Sequence, residues 1–150
     1  MDFLEKDAVT VKLQKTKKQD VIEELVEILC ESHKIKDKDR IIESLMEREG
    51  LGSTGIGQGV GIPHAKTSAV TKLIGALGIS RNGVDFDSLD GELTHIFFLL
   101  VAPEDAAGPH LKALARISRI LKEKYFRDSL IVAKSKEEVL DIINKEDQKL

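Results

Sequence analysis

The fold is decided around one stretch of this sequence, Gly59-Val60-Gly61-Ile62-Pro63-His64-Ala65-Lys66-Thr67. It closes a run, 50–61, that holds six glycines in twelve positions. From Gly55 the glycines alternate with other side chains, which is the two-residue period of a strand and puts the glycines on one face. A face of bare backbone lets another segment or a ligand approach the main chain closely. The pattern predicts a glycine-faced strand that ends at a proline and a histidine.

The histidine at the end of this strand has a constrained position. Pro63 fixes the backbone before His64, and nearby main-chain amides are available to bind an anion. Both properties suit a side chain that carries phosphate. Spacing alone also leaves a second interpretation open, in which His64 is an ordinary structural histidine.

A strand and a helix are predicted near the amino terminus. Residues 9–13 alternate like a short strand. Thr16 and Gln19 then form a capping-box pattern ahead of a helix whose apolar positions lie between 21 and 29. Cys30 continues this apolar stretch, so we expect a buried small hydrophobe and not a reactive thiol.

A second helix leads directly into the glycine-rich run. Asp37 is a candidate N-cap, the apolar face lies within 41–46, and Gly50 is a natural end. Arg48 therefore lies in the last turn, at the mouth of the following loop.

Two further strands are predicted downstream, 73–80 and 94–102, separated by Arg81-Asn82-Gly83 and a polar stretch, 85–91. The second strand is almost entirely apolar, as expected for a strand inside a sheet.

Helices predominate in the last third of the chain. Pro109 suits the first position of a helix, which places His110 in the first turn. Residues 125–133 favour a helix, and Ser135 with Glu138 forms a second capping box ahead of the last one. Interspersed helices and strands without linkers predict one α/β domain over 1–150, a sandwich with its core at about 8–146.

Composition excludes several classes of protein. The 23 basic and 26 acidic side chains leave a formal charge of −3, and aromatic residues make up only 4%. Both values argue against a nucleic-acid binder. The charged amino terminus does not read as a signal peptide, and the apolar run 96–102 is far shorter than the roughly 20 residues of a membrane span. We expect a cytoplasmic protein without membrane insertion.

Sequence patterns for other chemistries lack their context. Gly50 to Gly55 fits G-x-G-x-x-G but follows a helix, and Lys66-Thr67 lacks the glycine that precedes the lysine of a P-loop. No nucleophile elbow G-x-S-x-G occurs. The chain has no H-E-x-x-H and no paired cysteines, so metal binding has no support from spacing. The histidines weighed as metal ligands are His33, His64, His95 and His110.

Together, several marks resemble a known family. Arg48-Glu49 closes a helix, 51–59 leads to Ile62-Pro63-His64, Asp90-Gly91 precedes an apolar strand, and His110-Leu111 opens a helix. In this order and spacing the chain resembles the enzyme IIA domains of the fructose and mannitol class of the bacterial phosphotransferase system, including the nitrogen-regulatory branch. The resemblance implies a mixed sheet flanked by helices.

The resemblance also implies a function and a site. Members accept a phosphoryl group from the carrier HPr on the histidine of an I/V-P-H motif and pass it to a cysteine of an enzyme IIB. By that resemblance His64 is the phosphoryl acceptor, and His110 and Arg48 complete the site, with neither cofactor nor metal. The chain would be a phosphotransferase for fructose- or mannitol-type sugar uptake. The alternative is a regulatory IIA whose phosphorylation controls binding to protein partners without sugar transport.

Some residues depart from the family pattern or stay outside the predicted site. Gly61 stands where many members have alanine, and Gln58 stands where asparagine or glutamate is common, so Gln58 receives no role. His33 and His95 match no functional position. A docking surface around His64 should be partly apolar to exclude water, and its candidates are Leu51, Ile56 and Ile62.

Overall fold

The computed structural model describes residues 1–149. One strand and two helices precede a run of five strands, and three helices follow. The elements are β1 (Leu4–Thr10), α1 (Lys18–His33), α2 (Lys38–Gly50), β2 (Gly55–Gly57), β3 (Val60–Gly61), β4 (His64–Lys66), β5 (Ile74–Val84), β6 (Thr94–Ala102), α3 (Ala107–Ile120), α4 (Lys124–Ile131) and α5 (Lys136–Asp147).

The strands form one mixed sheet with the order β1-β5-β6-β3-β2. β5 and β6 are antiparallel, whereas β1 is parallel to β5. β3 and β4 both pair in parallel with β6, β3 near its start and β4 near its end. The apolar run 94–102 is therefore an interior strand, as predicted, with partners on both sides.

The side chains of β6 divide the core into two layers. Ile96, Phe98 and Leu100 pack on the face covered by α3, α4 and α5. Phe97 and Leu99 point to the other face, which α1 and α2 cover. Because both faces bury apolar side chains under helices, the sheet is the middle layer of an α/β sandwich. The predicted fold class is confirmed.

Two of the predicted helix starts have the expected caps. Asp37 accepts a hydrogen bond from the amide of Arg40 at 3.3 Å. Ser135 Oγ accepts from the amide of Glu138 at 3.1 Å, while the Glu138 carboxylate accepts from the amide of Lys134. The helix predicted over 125–133 is confirmed as α4.

The prediction of a capping box at Thr16 and Gln19 is wrong. The residue before α1 is Lys17, and its side chain makes no capping bond. The Glu24 carboxylate instead accepts the amides of residues 14 and 15, both at 3.0 Å. These bonds fold the segment before α1 back onto its second turn, but they involve amides outside the helix and do not replace the predicted cap.

Three other boundaries differ from prediction. β1 begins at Leu4, earlier than the expected 9–13. β5 continues through Arg81-Asn82-Gly83 to Val84, because a register shift against β6 absorbs these residues without ending the strand. Pro109 is the third residue of α3, where proline is tolerated because the first turn needs no amide donors.

The glycine-rich run is a hairpin and not one strand. β2 and β3 are antiparallel, and the turn between them has φ values of 57° at Gln58 and 78° at Gly59. Two consecutive positive φ values are typical of the tight turns that join twisted strands. A Cβ at Gly55 would lie 3.0 Å from the Ser88 backbone, so the expected close approach of another segment does occur there.

Within residues 1–149, no helix combines the length and the apolar character needed to cross a membrane.

Candidate functional site

Three elements enclose an open cavity of about 1370 Å³ at the end of the sheet where β4 pairs with β6. Arg48 from α2, His64 from β4 and His110 from α3 all line it. The structure therefore brings together the three predicted site residues, which are far apart in sequence.

His64 is oriented by its own strand. Leu100 on β6 donates its amide to the Pro63 carbonyl at 2.9 Å, which anchors the main chain just before the histidine. The His64 Nδ1 lies 2.8 Å from the Ile62 carbonyl oxygen. A carbonyl can only accept, so Nδ1 carries the proton and Nε2 keeps a lone pair.

Burial lowers the pKa of His64 from its ordinary value, and the nearby Arg48 guanidinium lowers it further. The hydrogen bond to Ile62 and the Glu49 carboxylate act in the opposite direction. Because the net shift is downward, the ring is neutral near pH 7 and can act as a nucleophile.

His110 faces His64 across the cavity. The two ring centroids lie 5.6 Å apart at a tilt of 59°. His110 is only 6% exposed, and its Nε2 is buried without a hydrogen-bond partner among residues 1–149. Burial is the main cause that lowers the pKa of His110, with His64 and Lys66 adding to it. A neutral ring with an unsatisfied nitrogen is suited to a polar group that enters the cavity.

Arg48 lies in the last turn of α2, as predicted. Its Nη1 donates to the carbonyl oxygen of Gly52 at 2.9 Å. The guanidinium has five N–H donors, so others stay available to an anion in the cavity.

Glu49 lies beside the site, although the sequence indicated it only as part of the Arg48-Glu49 motif and gave it no role. It is 7% exposed, and its carboxylate accepts the amide and the hydroxyl of Thr54. Lys18 reaches the same carboxylate at 3.0 Å. A signal was present in the sequence, because Glu49 follows Ile41 and Leu45 at helical spacing and so falls on the buried stripe of α2.

The docking residues are corrected in part. Leu51 is 86% exposed at the rim of the cavity, whereas Ile56 is exposed beside a different cavity. Ile62 is wrong as a docking residue, because its side chain is 3% exposed and packs into the core. Leu111, 70% exposed at the same rim, was missed. Leu111 follows His110, the first buried residue of α3, and so lies outside the buried stripe of that helix. An apolar residue at such a position could have been predicted to be exposed.

The other two histidines lie outside this cavity. His33 lines a separate cavity near the end of α1. His95 donates Nδ1 to the Ser80 carbonyl at 2.9 Å. Gln58 interacts through its backbone amide, which donates to Asp90 at 2.9 Å. Within residues 1–149, no group of three or more histidine, cysteine or acidic side chains is placed to hold a metal ion. Cys30 is buried as expected, and burial raises the pKa of its thiol.

A neutral histidine with a free nitrogen, a second histidine and an arginine around one open cavity can bind and attack an anionic group. The family model of the phosphoenolpyruvate-dependent sugar phosphotransferase system, EIIA 2, matches residues 2–146.

Relatives come from both a sugar branch and a regulatory branch. The chain is 39% identical over 147 residues to the fructose-specific EIIABC component of Bacillus subtilis, covering 98% of this chain but only 23% of that protein. It is 37% identical to the fructose-specific EIIA component of Haloferax volcanii, covering 84% of this chain and 82% of that protein. The crystal structure of nitrogen regulatory protein IIA-Ntr from Neisseria meningitidis superimposes with a TM-score of 0.87 at 35% identity, covering 95% of this chain and 97% of that chain. Since the family model spans nearly the whole sequence and the fold agrees, the chain belongs to the EIIA type 2 family of the phosphoenolpyruvate-dependent sugar phosphotransferase system.

Proposed function

We propose that this chain is a phosphocarrier that accepts a phosphoryl group from phospho-HPr on Nε2 of His64 and passes it to a cysteine of an enzyme IIB. The observation that carries the proposal is the hydrogen bond from His64 Nδ1 to Ile62, which leaves Nε2 free beside His110 and Arg48 in an open cavity. Under this proposal the chain is a phosphotransferase, and its site needs neither a cofactor nor a metal.

The chemistry is a transfer between two histidines. As the Nε2–phosphorus bond forms, the phosphorus–nitrogen bond of the donor breaks, and its electron pair returns to the donor imidazole. The protein's task is to hold the nucleophile in line and to stabilise the charge on the equatorial oxygens. Arg48 supplies a permanent positive charge and N–H donors for these oxygens. His110 supplies one ring N–H. In the onward step the IIB thiolate attacks the phosphorus, the Nε2–phosphorus bond breaks, and its electron pair returns to the His64 imidazole.

Sugar transport is the favoured biological role. The fructose-specific relative from Bacillus subtilis supports it, being 39% identical over nearly the whole chain. The likeness to a nitrogen regulatory protein supports a second candidate, in which phosphorylation of His64 switches binding to regulatory proteins and no sugar is moved. We also propose a single functional domain over 1–150 with its core at about 8–146, and the family match over 2–146 supports that extent. A cytoplasmic location is part of the same proposal.

Mass spectrometry tests the carrier function. Wild type, His64→Ala and His110→Ala are incubated with phosphoenolpyruvate, enzyme I and HPr, and their intact masses are measured at alkaline pH, where phosphohistidine persists. We expect a gain of one phosphoryl group in wild type and none in His64→Ala. No gain in wild type beside a phosphorylated HPr would overturn the proposal.

A second experiment separates the two roles. The phosphorylated wild type and His64→Ala are used as baits in lysate. A transport carrier should recover HPr and an enzyme IIB, and reconstituted transfer from the phosphorylated protein to that IIB should follow. Recovery of another protein by only one of the two forms, without transfer to any IIB, would favour the regulatory role.

A further inference from the structure

We propose that Lys18, Glu49 and Thr54 form a positioning network that fixes the ring of His64 from the first turn of α1. None of the three touches the reacting group in the proposed function. The kinetic part of the inference rests on that function, whereas the structural part concerns the free protein alone.

The network begins with an ion pair between a buried carboxylate and a half-buried lysine. The Glu49 side chain is 3% exposed and the Lys18 side chain 20%, and their charged atoms lie 3.0 Å apart. Lys18 Nζ also lies 4.8 Å above the Phe86 ring and 3.6 Å from the Asp87 carboxylate. Taking a carboxylate out of water is costly unless a cation and hydrogen-bond donors compensate it. Lys18 is the cation, and the donors come from Thr54.

From Glu49 the network reaches His64 through hydrogen bonds. Thr54, 3% exposed, donates both its amide and its hydroxyl to the Glu49 carboxylate. The Thr54 carbonyl accepts the Ile62 amide at 3.0 Å. The Ile62 carbonyl in turn accepts Nδ1–H of His64 at 2.8 Å. An unbroken series of contacts thus joins the start of α1 to the nitrogen that sets the ring's tautomer.

A second branch reaches Arg48. The main-chain carbonyl of Glu49 accepts the amide of Gly52 at 3.1 Å. The carbonyl of Gly52 accepts Nη1 of Arg48 at 2.9 Å. The same residue that orients His64 through its side chain therefore also holds, through its backbone, the loop that positions the arginine.

Stability alone does not explain this arrangement. Replacing a buried ion pair by apolar side chains of similar volume is often neutral or stabilising, so the pair itself is weak evidence for a stabilising role. Its distinctive consequence is geometric, because the Ile62 carbonyl must stay aimed at Nδ1. The charged and titratable groups that face His64 are Arg48 and Glu49 from α2, His110 from α3 and Lys66 from its own strand.

Three substitutions test the network. Glu49→Gln removes the charge, Lys18→Met removes the cation, and Thr54→Val removes the hydroxyl at similar shape. Long-range proton–nitrogen NMR on the free protein reports the tautomer and the titration of His64, and rapid-quench kinetics with phospho-HPr reports kcat and KM. We expect Glu49→Gln to lower the fraction of His64 protonated on Nδ1 and to reduce kcat by roughly 10- to 100-fold, since small misplacements cost rate, with KM little changed. Thr54→Val should change both readouts in the same direction, whereas Thr54→Ser, which keeps the hydroxyl, should match wild type.

Glu137→Gln is the matched control. Its carboxylate pairs with Lys6 at 3.6 Å, with both side chains more than half exposed, and among residues 1–149 it is not part of the lining of the His64 cavity. This variant should match wild type in every readout. If Glu49→Gln does not fold, Thr54→Val and Lys18→Met decide the question.

Two results would overturn the inference. One is an unchanged tautomer and kcat in folded variants of the network. The other is a loss of thermal stability without any change at His64, which would make the network merely structural. Failure of the proposed function looks different, because phosphate on a His64→Ala protein or none on wild type leaves the tautomer measurement valid.

Discussion

His64 and His95 make the same hydrogen bond in different surroundings. Each donates Nδ1–H to a main-chain carbonyl, His64 to Ile62 at 2.8 Å and His95 to Ser80 at 2.9 Å. Around His64 the space opens into a cavity shared with His110 and Arg48. His95 is packed closely on the side of Gly83, where an added Cβ would lie only 2.9 Å from the ring.

The comparison shows that a hydrogen bond to a main-chain carbonyl orients a histidine ring but does not decide what the other ring nitrogen faces. The neighbours across the ring decide what the free nitrogen meets. His64 faces an open cavity with His110 and Arg48, whereas the ring of His95 lies close to the position that a Cβ of Gly83 would occupy. The predictions below test this distinction.

Replacing each histidine by alanine should have the largest effect. His64→Ala should abolish phosphorylation by phospho-HPr, because the nucleophile is gone. His95→Ala should still be phosphorylated, while losing about 1 kcal/mol of unfolding free energy with its hydrogen bond. Intact mass and urea unfolding measure the two effects. A phosphate-free His95→Ala protein that remains folded would contradict the distinction.

Removing His110 should slow the reaction without abolishing it. A hydrogen bond to a charged group is worth about 1.5–3 kcal/mol, so His110→Ala should lower the transfer rate by roughly 10- to 150-fold.

His33→Ala is the matched control for this rate. Like His110, His33 has a buried Nε2 without a partner among residues 1–149 and a pKa lowered by burial, but it lines another cavity. Equal rates for the two variants in a rapid-quench assay would refute a role for His110.

The close packing between Gly83 and His95 can be tested by replacing the glycine with alanine. Gly83 and Gly91 both have positive φ, 86° and 74°. A Cβ at Gly83 meets His95 and Leu93, whereas one at Gly91 meets nothing within 4 Å. Both alanine variants should lose about 1–2 kcal/mol to the backbone, and Gly83→Ala about 1–3 kcal/mol more to overpacking. Urea unfolding gives both values, and equal losses would mean that the contact with His95 is loose.

The smallest effect concerns pH. Burial lowers the pKa of both His64 and His110 in the folded state. Below the unfolded value of about 6.5 the unfolded chain then binds more protons, so the stabilisation is full above that pH and is lost as pH falls towards the folded pKa.

The unfolding free energy should therefore be lower at about pH 5.5 than at about pH 7.5. This decline should be smaller in the double variant His64→Ala/His110→Ala, as measured by urea unfolding at both pH values. An identical decline would place the proton uptake elsewhere in the chain.

Local signals were sufficient for much of the fold. The apolar run 94–102 predicted β6 to the residue, and Asp37 and Ser135 predicted two helix caps. These signals involve side chains and amides within a few residues of each other, where sequence order and spatial order agree. The capping box at Thr16 was predicted from the same kind of local pattern, but the N-cap position of α1 is Lys17 and not Thr16.

Contacts between distant segments were not readable. The glycine alternation fits a single strand and a hairpin equally well, and the turn geometry at Gln58 and Gly59 distinguishes them. Ile62 reads as a possible surface residue because its exposure depends on the helices packed over the sheet. In the sequence Glu49 is only the second residue of a charged pair with Arg48. Its contacts with Lys18 and Thr54 are visible only in the structure.

The sequence by itself determined the order of helices and strands, the constrained histidine after Pro63 and, through its motifs, the family resemblance. Only the tertiary structure decided that Arg48, His64 and His110 share one cavity and which nitrogen of His64 is free. The physical reason is that backbone propensity and capping act over one or two turns, whereas the site depends on the pairing of β4 with β6, which places His64 beside residues of α2 and α3.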